Sequence, residues 1–598
     1  MALLPRVALA ALAGIALQAA ATDPPSILVG SNVLASRVGA FSHVELTLAA
    51  NPTNASNLIG AAITATRLDG GIATTVYASV DGGSSWIPTF LREPLVSGAA
   101  DPQVAFNRKG TAYFATLVDT AHEDGRTAAD LYMYRSSDGG LTWDKPTNIG
   151  GSCDHPMLVV NRSTGRYADH VYIGCLTADP EYRILVLRSD DEGHSFGKPT
   201  QAAKGGTLGI NVVNVLVFSD GTLFVPYFDF DFRHPTNDTG SIWFVTSNDD
   251  ARTFSSPQKI LTRTYGTIPR RPLFHAFPVF AVDDSSTQFR DRIYLAWNDL
   301  RSGRSGVLFS YSADRGRTWS EPKQIQAPGD GASEQWQPTL AVNRDGIVGV
   351  TWFDTVGTDG KAFNEYFTAS VDGGVSFLKP VRVSTETSMP YGAANVKPLP
   401  AEFRTQDSWR ITLWSIGSRW ANGGEYMGLA ADAGGAFHPF WADARSGTFQ
   451  AWTATVRVGT KADAVGSGPG SSAPVSLRSL VGLVYDPVSY DEHTGILEMP
   501  VRLKNHSSQY IFPPIEVEIL RFGSGANSDI NAANAPTILN ASGGRTGVGA
   551  RFDYSSALGD SASLAPGGQT AAVVWKMRVP DVLKIPNVHI EVTGRVKP

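Results

Sequence analysis

Three histidines stand at equivalent strand starts in a chain that has only 11 histidines. They are His43, His155 and His275, and Tyr426 occupies the corresponding place in the last part of the same region. A histidine or a tyrosine can transfer a proton near neutral pH when its neighbours adjust its pKa. These four residues are the candidate catalytic groups.

Two segments, residues 297–301 (WNDLR) and 441–445 (WADAR), share the pattern W-x-D-x-R. Arginine presents a fixed fork of N–H donors that suits a carboxylate, so Arg301 and Arg445 are candidate ligands for an acidic sugar. Such Asp–Arg pairs also bridge neighbouring sheets in a purely structural role, and the sequence leaves both uses open. The other candidate substrate-binding residues are Trp297, Asp299, Asp443, Asp101, Asp154 and Gln337. Further polar residues at strand starts receive no role: Glu45, Asn211, Asn214, Gln335 and Glu425.

A metal would find oxygen ligands at Asp229 and Asp231, and hard carboxylate oxygens suit Ca²⁺. No loop has the spacing of an EF-hand, and no His/Cys cluster supports zinc. No glycine-rich phosphate or dinucleotide fingerprint opens a helix. We therefore expect no organic cofactor, and Ca²⁺ is the candidate metal.

A repeated eight-residue segment organises the elements that must position these groups. The pattern S-x-D-x-G-x-[ST]-[WF] recurs six times, with starts 57, 53, 58, 65 and 58 residues apart, and Ala251 replaces its glycine once. It has the chemistry of a tight turn, because the Asp accepts backbone N–H groups and the Gly adopts a positive φ. The copies start at Ser79, Ser136, Ser189, Ser247, Ser312 and Ser370.

Strand-like segments fill the rest of each repeat. An apolar strand, a turn and two further strands precede each copy, and similar openings recur often enough to define seven units, the last without the turn motif. Four strands in a unit of about 59 residues are typical of a propeller blade. We expect an all-β protein with a β-propeller of seven blades, and we favour seven over six.

The repeated turn is the Asp-box, and the series over residues 43–458 resembles the sialidase superfamily of β-propellers. The layout of the whole chain is similar to that of secreted seven-bladed polysaccharide lyases, including those that split rhamnose from glucuronate. The resemblance implies a glycan substrate. It does not choose an activity, because one fold hosts many functions.

Segments outside the propeller complete the domain organisation. Residues 1–21 read as a secretory signal peptide, with Arg6 before an apolar stretch and small residues up to Ala21, so we expect a secreted, extracellular protein. The propeller should occupy residues 22–458, a flexible linker 459–474 and a small C-terminal β-sandwich 475–598. Export favours a disulfide between Cys153 and Cys175. Sequons begin at Asn54, Asn161, Asn237, Asn505 and Asn540 and would make a glycoprotein in a eukaryotic secretory pathway.

Charge and hydropathy narrow the class of partner. The chain has 50 Lys+Arg against 56 Asp+Glu, a formal charge of −6, which leaves no cationic excess for nucleic acid. No segment after the signal approaches roughly 20 uninterrupted apolar residues. We expect an acidic polysaccharide or glycan as the partner, no nucleic acid, no membrane, and a monomer.

Three functions fit the candidate residues. The preferred one is a uronate lyase, in which His155, His275 or His43 removes the C5 proton, Tyr426 is the acid, and Arg301 and Arg445 neutralise the carboxylate. The second is a hydrolytic sialidase, for which the resemblance implies Tyr426 as the nucleophile and the two arginines in the arginine set. The F/Y-R-I-P arginine motif of sialidases is absent, and Arg37 in SRVG does not match it. The third is a propeller that binds a glycan or a protein without catalysis.

Overall fold

The structure is a computed structural model. It describes residues 25–36, 42–65, 72–91, 99–121, 127–151, 153–177, 181–206, 208–231, 239–264, 277–325, 333–358, 360, 362–389, 423–446, 448–459, 475–477, 480–491, 493–507, 509–523, 535–542, 544–559, 561, 563–579 and 587–596. The predicted signal peptide lies outside these ranges, as does the predicted linker apart from Gly459. No helix in the described ranges is long and apolar enough to cross a membrane.

Antiparallel sheets account for nearly all the secondary structure, as the strand-like sequence pattern predicts. The first strands are β1 (Ser26–Val29) and β2 (Val33–Leu34). Six sheets follow, and in each the strands lie side by side in chain order. The first three sheets are β3 (His43–Ala50), β4 (Leu58–Ala65), β5 (Ile72–Ser79) and β6 (Ile87–Leu91); β7 (Ala99–Phe106), β8 (Ala112–Ala121), β9 (Thr127–Ser136) and β10 (Thr147–Asn148); and β11 (Asp154–Val160), β12 (Val171–Leu176), β13 (Arg183–Ser189) and β14 (Thr200–Lys204). The next three sheets are β15 (Gly209–Val212) with β16 (Leu216–Val217), β17 (Leu223–Phe230), β18 (Thr239–Ser247) and β19 (Gln258–Thr264); β20 (Val279–Val282), β21 (Ile293–Asp299), β22 (Gly306–Ser312) and β23 (Lys323–Gln324); and β24 (Gln335–Val342), β25 (Val348–Asp354), β26 (Asn364–Ser370) and β27 (Val381–Arg382).

The next sheet joins the two ends of this region. It contains β28 (Gly428–Ala431), β29 (Phe437–Asp443), β30 (Gln450–Thr453) and β31 (Val456–Gly459). Strand β2 pairs with β30, and β1 pairs with β31, so strands from the start of the chain complete the sheet formed by its later part.

The first strands of successive sheets contact one another in a closed ring. The contacts run from β3 to β7, β11, β15, then from β16 to β20, β24 and β28, and β28 returns to β3. A ring of four-stranded antiparallel sheets is the arrangement of a β-propeller, and the all-β fold predicted from the sequence is confirmed. The starts of the first strands therefore converge around the centre of the ring.

The repeated turn shows why the sequence folds this way locally. Ser79 Oγ donates to Asp81 Oδ1 at 2.8 Å and accepts the Gly83 N–H at 2.9 Å, while the Ser85 N–H donates to Asp81 Oδ1 at 2.8 Å. Gly83 has φ 86°, and Trp86 packs on Phe440 of the neighbouring sheet with ring centroids 5.4 Å apart. The contiguous residues of each copy thus satisfy their own backbone groups.

Two further sheets follow near the C-terminus and share one hydrophobic cluster that contains Trp575 and Phe552. The described helical structure here is a short 3₁₀ turn at Ser556–Leu558. The strands are β32 (Val475–Ser476), β33 (Val481–Tyr485), β34 (Ser489–Asp491), β35 (Ile496–Asn505), β36 (Ile511–Gly523), β37 (Thr537–Ile538), β38 (Arg551–Asp553), β39 (Val573–Arg578) and β40 (Asn587–Val596).

Candidate functional site

Four of the first strands carry the same backbone irregularity where they face the centre of the ring. Each has a β-bulge with a non-glycine residue at positive φ: Glu45 at 53°, Asp101 at 51°, His155 at 48° and Gln337 at 57°. A side chain in this conformation costs of order 1–3 kcal/mol and persists only where the surrounding structure fixes it. Bulges re-aim side chains next to functional sites. The repeated bulge therefore marks the ring centre as the candidate site.

His155 is the hub of a cluster drawn from four parts of the ring, which we call the central cluster: Asp101, Asp154, His155, Asn211 and Glu425. Its Nε2 lies 2.8 Å from Glu425 Oε2, and its Nδ1 lies 3.3 Å from Asp154 Oδ2. The His155 backbone N–H donates to Asp101 Oδ2 at 3.2 Å, and Asn211 Nδ2 lies 3.4 Å from the ring Nδ1. The bulge thus brings the His155 backbone N–H to Asp101 and Asp154, and the His155 ring to Asp154 and Glu425.

The two carboxylates on the ring decide the charge of His155. Burial opposes that charge, but Asp154 and Glu425 outweigh burial and raise the pKa of His155 well above its usual 6.5. An imidazolium needs hydrogen-bond acceptors at both ring nitrogens. If the Asn211 amide is turned by 180°, its oxygen, which has no partner among the described residues, faces His155 Nδ1 and can also accept from it. We therefore interpret His155 as a cation at neutral pH with both N–H groups in use, a state in which it cannot accept a proton. His155 as the base stays a prediction.

Asp101 and Asp154 are neighbours with opposite pKa shifts. Burial, together with the charges of Asp154 and Glu425, raises the pKa of Asp101 to about 6 against the opposing effects of His155 and of a hydrogen bond with Glu45. Burial would also raise the pKa of Asp154, but the charge of His155 and the hydrogen bonds lower it to about 2. Carboxyl groups whose pKa values are separated in this way divide into a proton donor and a permanent anion.

Tyr426 lies on the segment that carries Glu425. Burial, followed by the charges of Glu45, Asp101 and Glu425, raises the pKa of Tyr426 well above 10, so its hydroxyl keeps its proton. The segment passes tightly against the Glu45 bulge, since the Glu45 N–H donates to the Gly423 carbonyl at 2.8 Å. Gly424 has φ 122°, and a Cβ there would lie 2.4 Å from Glu45 N. Glycine is required for this approach.

The remaining histidines do not join the central cluster in the described structure. His43 is fully buried, and its Nε2 lies 2.6 Å from the Tyr77 hydroxyl inside the protein. His275 lies outside the described residues. Gln337 occupies the equivalent bulge and is only 4% exposed, and its two side-chain polar atoms have no hydrogen-bond partner among the described residues.

In each of the two W-x-D-x-R segments, the Asp accepts hydrogen bonds from the Trp and the Arg of the same segment, an arrangement that we call a clamp. Asp299 accepts from Trp297 Nε1 at 2.9 Å and from Arg301 Nη2 at 2.7 Å, and Trp297 and Asp299 are buried. Arg301 Nη2 also donates to the Thr262 carbonyl of the preceding sheet at 3.2 Å. These contacts show Arg301 in the structural, sheet-bridging use that the sequence left open.

The second clamp repeats the same contacts. Trp441 Nε1 lies 3.0 Å and Arg445 Nη2 2.6 Å from the buried Asp443. Arg445 Nη1 donates to Thr385 at 3.0 Å and to Asn32 at 3.1 Å, so it ties the last sheet to its neighbour and to the start of the chain. Within the described residues, neither arginine reaches the central cluster, and the predicted carboxylate clamp is not formed there.

The candidate metal ligands have other partners. Asp229 accepts the Ser241 N–H at 2.6 Å and Trp243 Nε1 at 2.8 Å. Atoms of Asp101, Asp154 and His155 lie within 4.8 Å of one another, but their hydrogen bonds are made within the central cluster, and we interpret them as a hydrogen-bonded network. Ca²⁺ at Asp229 and Asp231 stays a prediction.

Glu45, Glu425 and Asn211 belong to the site although the sequence assigned them no role. Glu45 has a signal in the sequence, because it occupies the same place in its strand start as Asp101 does. Glu425 directly precedes Tyr426, but its contact with His155 spans 270 residues and has no sequence signature.

Comparison with known proteins gives remote similarities. No protein-family model matches the chain, and no curated protein matches it. Among solved structures, it is similar to an ulvan lyase of polysaccharide lyase family 25, with 9% identity over 59% of this chain and 87% of that one and a TM-score of 0.39. The intramolecular trans-sialidase from Ruminococcus gnavus has 13% identity over 71% and 96% of the two chains, with a TM-score of 0.36. The α-L-arabinanase of Penicillium chrysogenum has 14% identity over 60% and 93%, with a TM-score of 0.36.

Proposed function

We propose that the protein is a secreted, glycan-active enzyme, a seven-bladed propeller followed by a β-sandwich, and that its central cluster hydrolyses a glycosidic bond. The observation that carries this proposal is the pair Asp101 and Asp154, adjacent carboxyl groups with opposite pKa shifts at the centre of the ring. Two such groups are the machinery of glycoside hydrolysis.

The roles follow from the protonation states. Asp101 holds its proton up to a pH of about 6, and we assign to it the donation of that proton to the oxygen of the leaving sugar. Asp154 stays ionised because His155 lies beside it, and its carboxylate stabilises or attacks the cationic sugar ring. The side chain of Asp154 is 41% exposed, so a substrate can reach it.

Elimination at a glucuronate, which the sequence favoured, is the second candidate. One observation supports it: Tyr426 keeps a proton for the leaving oxygen. Asp154 and Glu425 occupy both ring nitrogens of His155, so another group must remove the C5 proton. Hydrolysis needs no such further group.

One assay separates these reactions. The protein is incubated with neutral and acidic oligosaccharides, and new reducing ends are measured together with the ultraviolet absorbance of an unsaturated uronate. Hydrolysis gives reducing ends alone, elimination gives both signals, and saturable binding without either signal would favour a binding propeller.

Asp101→Asn tests the assignment of roles. We expect kcat to fall by about 10²–10⁴-fold, the usual contribution of a general acid. The wild-type rate should also decline as the pH rises through about 6, because Asp101 then loses its proton. Asp345→Asn, at a carboxyl that is 61% exposed, is the matched control and should retain full activity. Wild-type turnover by Asp101→Asn would contradict the proposal.

A further inference from the structure

The disulfide between Cys153 and Cys175 adjoins the central cluster. It joins the residue directly before β11 to β12, with the two Cα atoms 5.4 Å apart. Cys153 is 5% exposed and Cys175 is fully buried in an apolar cluster with Ile173 and Leu131. The bond therefore lies inside the protein, and Asp154 and His155 are the next two residues along the chain.

The backbone between the disulfide and the site lacks the usual support of a strand. Asp154 pairs with Leu176 and Met157 with Gly174, and the bulge between them leaves His155 and Pro156 without partners in the ladder. Pro156 has no N–H to donate, and His155 is held at φ 48°. Unusual conformations of this kind persist only where the surroundings fix them.

The His155 N–H makes its contacts with carboxylates rather than with the neighbouring strand. It lies 3.2 Å from Asp101 Oδ2 and 3.1 Å from Asp154 Oδ1. A movement of the bulge would change the distance from the His155 N–H to Asp101 and the two ring contacts to Asp154 and Glu425 at once. A cross-link immediately before the bulge restricts that movement.

We propose that the Cys153–Cys175 bond is a positioning element of the central site, which fixes the His155 bulge so that its ring lies between Asp154 and Glu425 and its N–H faces Asp101. The catalytic meaning of this position rests on the proposed function, but the position itself is measured without a substrate. The two cysteines touch no reacting atom and act through His155.

The test follows the titration of His155 in the full-length chain with ¹³C-labelled histidine by NMR, and His155→Gln assigns the signal. In the wild type the ring should remain an imidazolium well above pH 6.5. In Cys153→Ala/Cys175→Ala the ring contacts lengthen, and the titration midpoint should fall by about one pH unit or more. Ile173→Val, in the same apolar cluster, lowers stability without releasing the bulge and should leave the midpoint unchanged.

Two results would overturn the proposal. One is a folded double variant whose His155 titrates as in the wild type. The other is loss of the near-ultraviolet circular dichroism of the folded state in both Cys153→Ala/Cys175→Ala and the volume-restoring Cys153→Ala/Cys175→Val, since the bond would then support the whole fold. The absence of turnover on every glycan would refute the proposed function and leave the titration result standing.

Discussion

Glu365 should make the propeller less stable as the pH rises. It lies on β26, 2% exposed, where the Thr351 hydroxyl donates to Oε1 and Oε2 has no hydrogen-bond partner among the described residues. Burial, followed by the negative charge of Asp443, raises the pKa of Glu365 well above its usual 4.5. The folded protein therefore keeps a proton that the unfolded chain releases above pH 4.5.

The size of the effect follows from proton linkage. A raised folded-state pKa gives stability that is fully present below the unfolded-state pKa and is lost as the pH rises through the folded-state pKa. While the buried carboxyl stays protonated, each pH unit above 4.5 costs about 1.4 kcal/mol of unfolding free energy. Glu365→Gln keeps the shape and the acceptor for Thr351 but cannot ionise, so its stability relative to the wild type should grow at this rate.

Chemical denaturation of both proteins at several pH values between about 5 and 7 measures this difference. The same substitution at the exposed Glu321 is the matched control, for which we expect no growth with pH. A Glu365→Gln advantage that stays constant over the range would refute the reasoning, because it would mean that Glu365 exchanges no proton on folding.

Four further substitutions test other parts of the ring. Gly424→Ala places a Cβ 2.4 Å from Glu45 N. It should lower the unfolding free energy by about 2 kcal/mol or more, measured by thermal unfolding, and should also lower activity. Arg445→Met removes the cation beside the buried Asp443 and should cost about 3–5 kcal/mol in chemical denaturation. Arg301→Met should cost only about 1 kcal/mol, because the Arg301 side chain is 47% exposed and that of Arg445 is 4% exposed, so water can take the place of Arg301. Equal losses would contradict this reasoning. Burial opposes the charge of Asp138, yet its hydrogen bonds outweigh burial and lower its pKa. Asp138→Asn should therefore cost about 1 kcal/mol of unfolding free energy near neutral pH, and progressively less in acid, where the wild-type carboxylate takes up a proton. Denaturation curves at a series of pH values measure this difference.

Much of the fold could be predicted because its signals are local. In the repeated turn, Ser79, Asp81 and Gly83 lie within five residues and satisfy one another's hydrogen bonds, so the pattern itself specifies the turn. The buried pair Cys153 and Cys175 is confirmed as a disulfide. The position of polar groups at strand starts also predicted Asp101, Asp154 and His155 at one place.

The roles of the candidate residues were harder to predict because they depend on distance and burial. His43 and His155 have similar positions in the sequence pattern, but one ring is buried against Tyr77 and the other lies between two carboxylates. The W-x-D-x-R pattern suits a carboxylate ligand as well as a structural clamp, and only the contacts of Arg301 with Asp299 and Thr262 distinguish the two.

By itself, the sequence determined the all-β ring, its repeated turns and the kinds of polar residue at its centre, because each of these follows from neighbouring residues and a regular spacing. The disulfide was predicted from the expected export of the chain. Only the tertiary structure decided which groups surround His155 and raise its pKa, because Glu425 reaches it from 270 residues away. It also decided that Asp101 keeps its proton up to a pH of about 6, whereas Asp154 is ionised above a pH of about 2. A pKa is set by burial and by the charges within a few ångströms, and these exist only once the chain has folded.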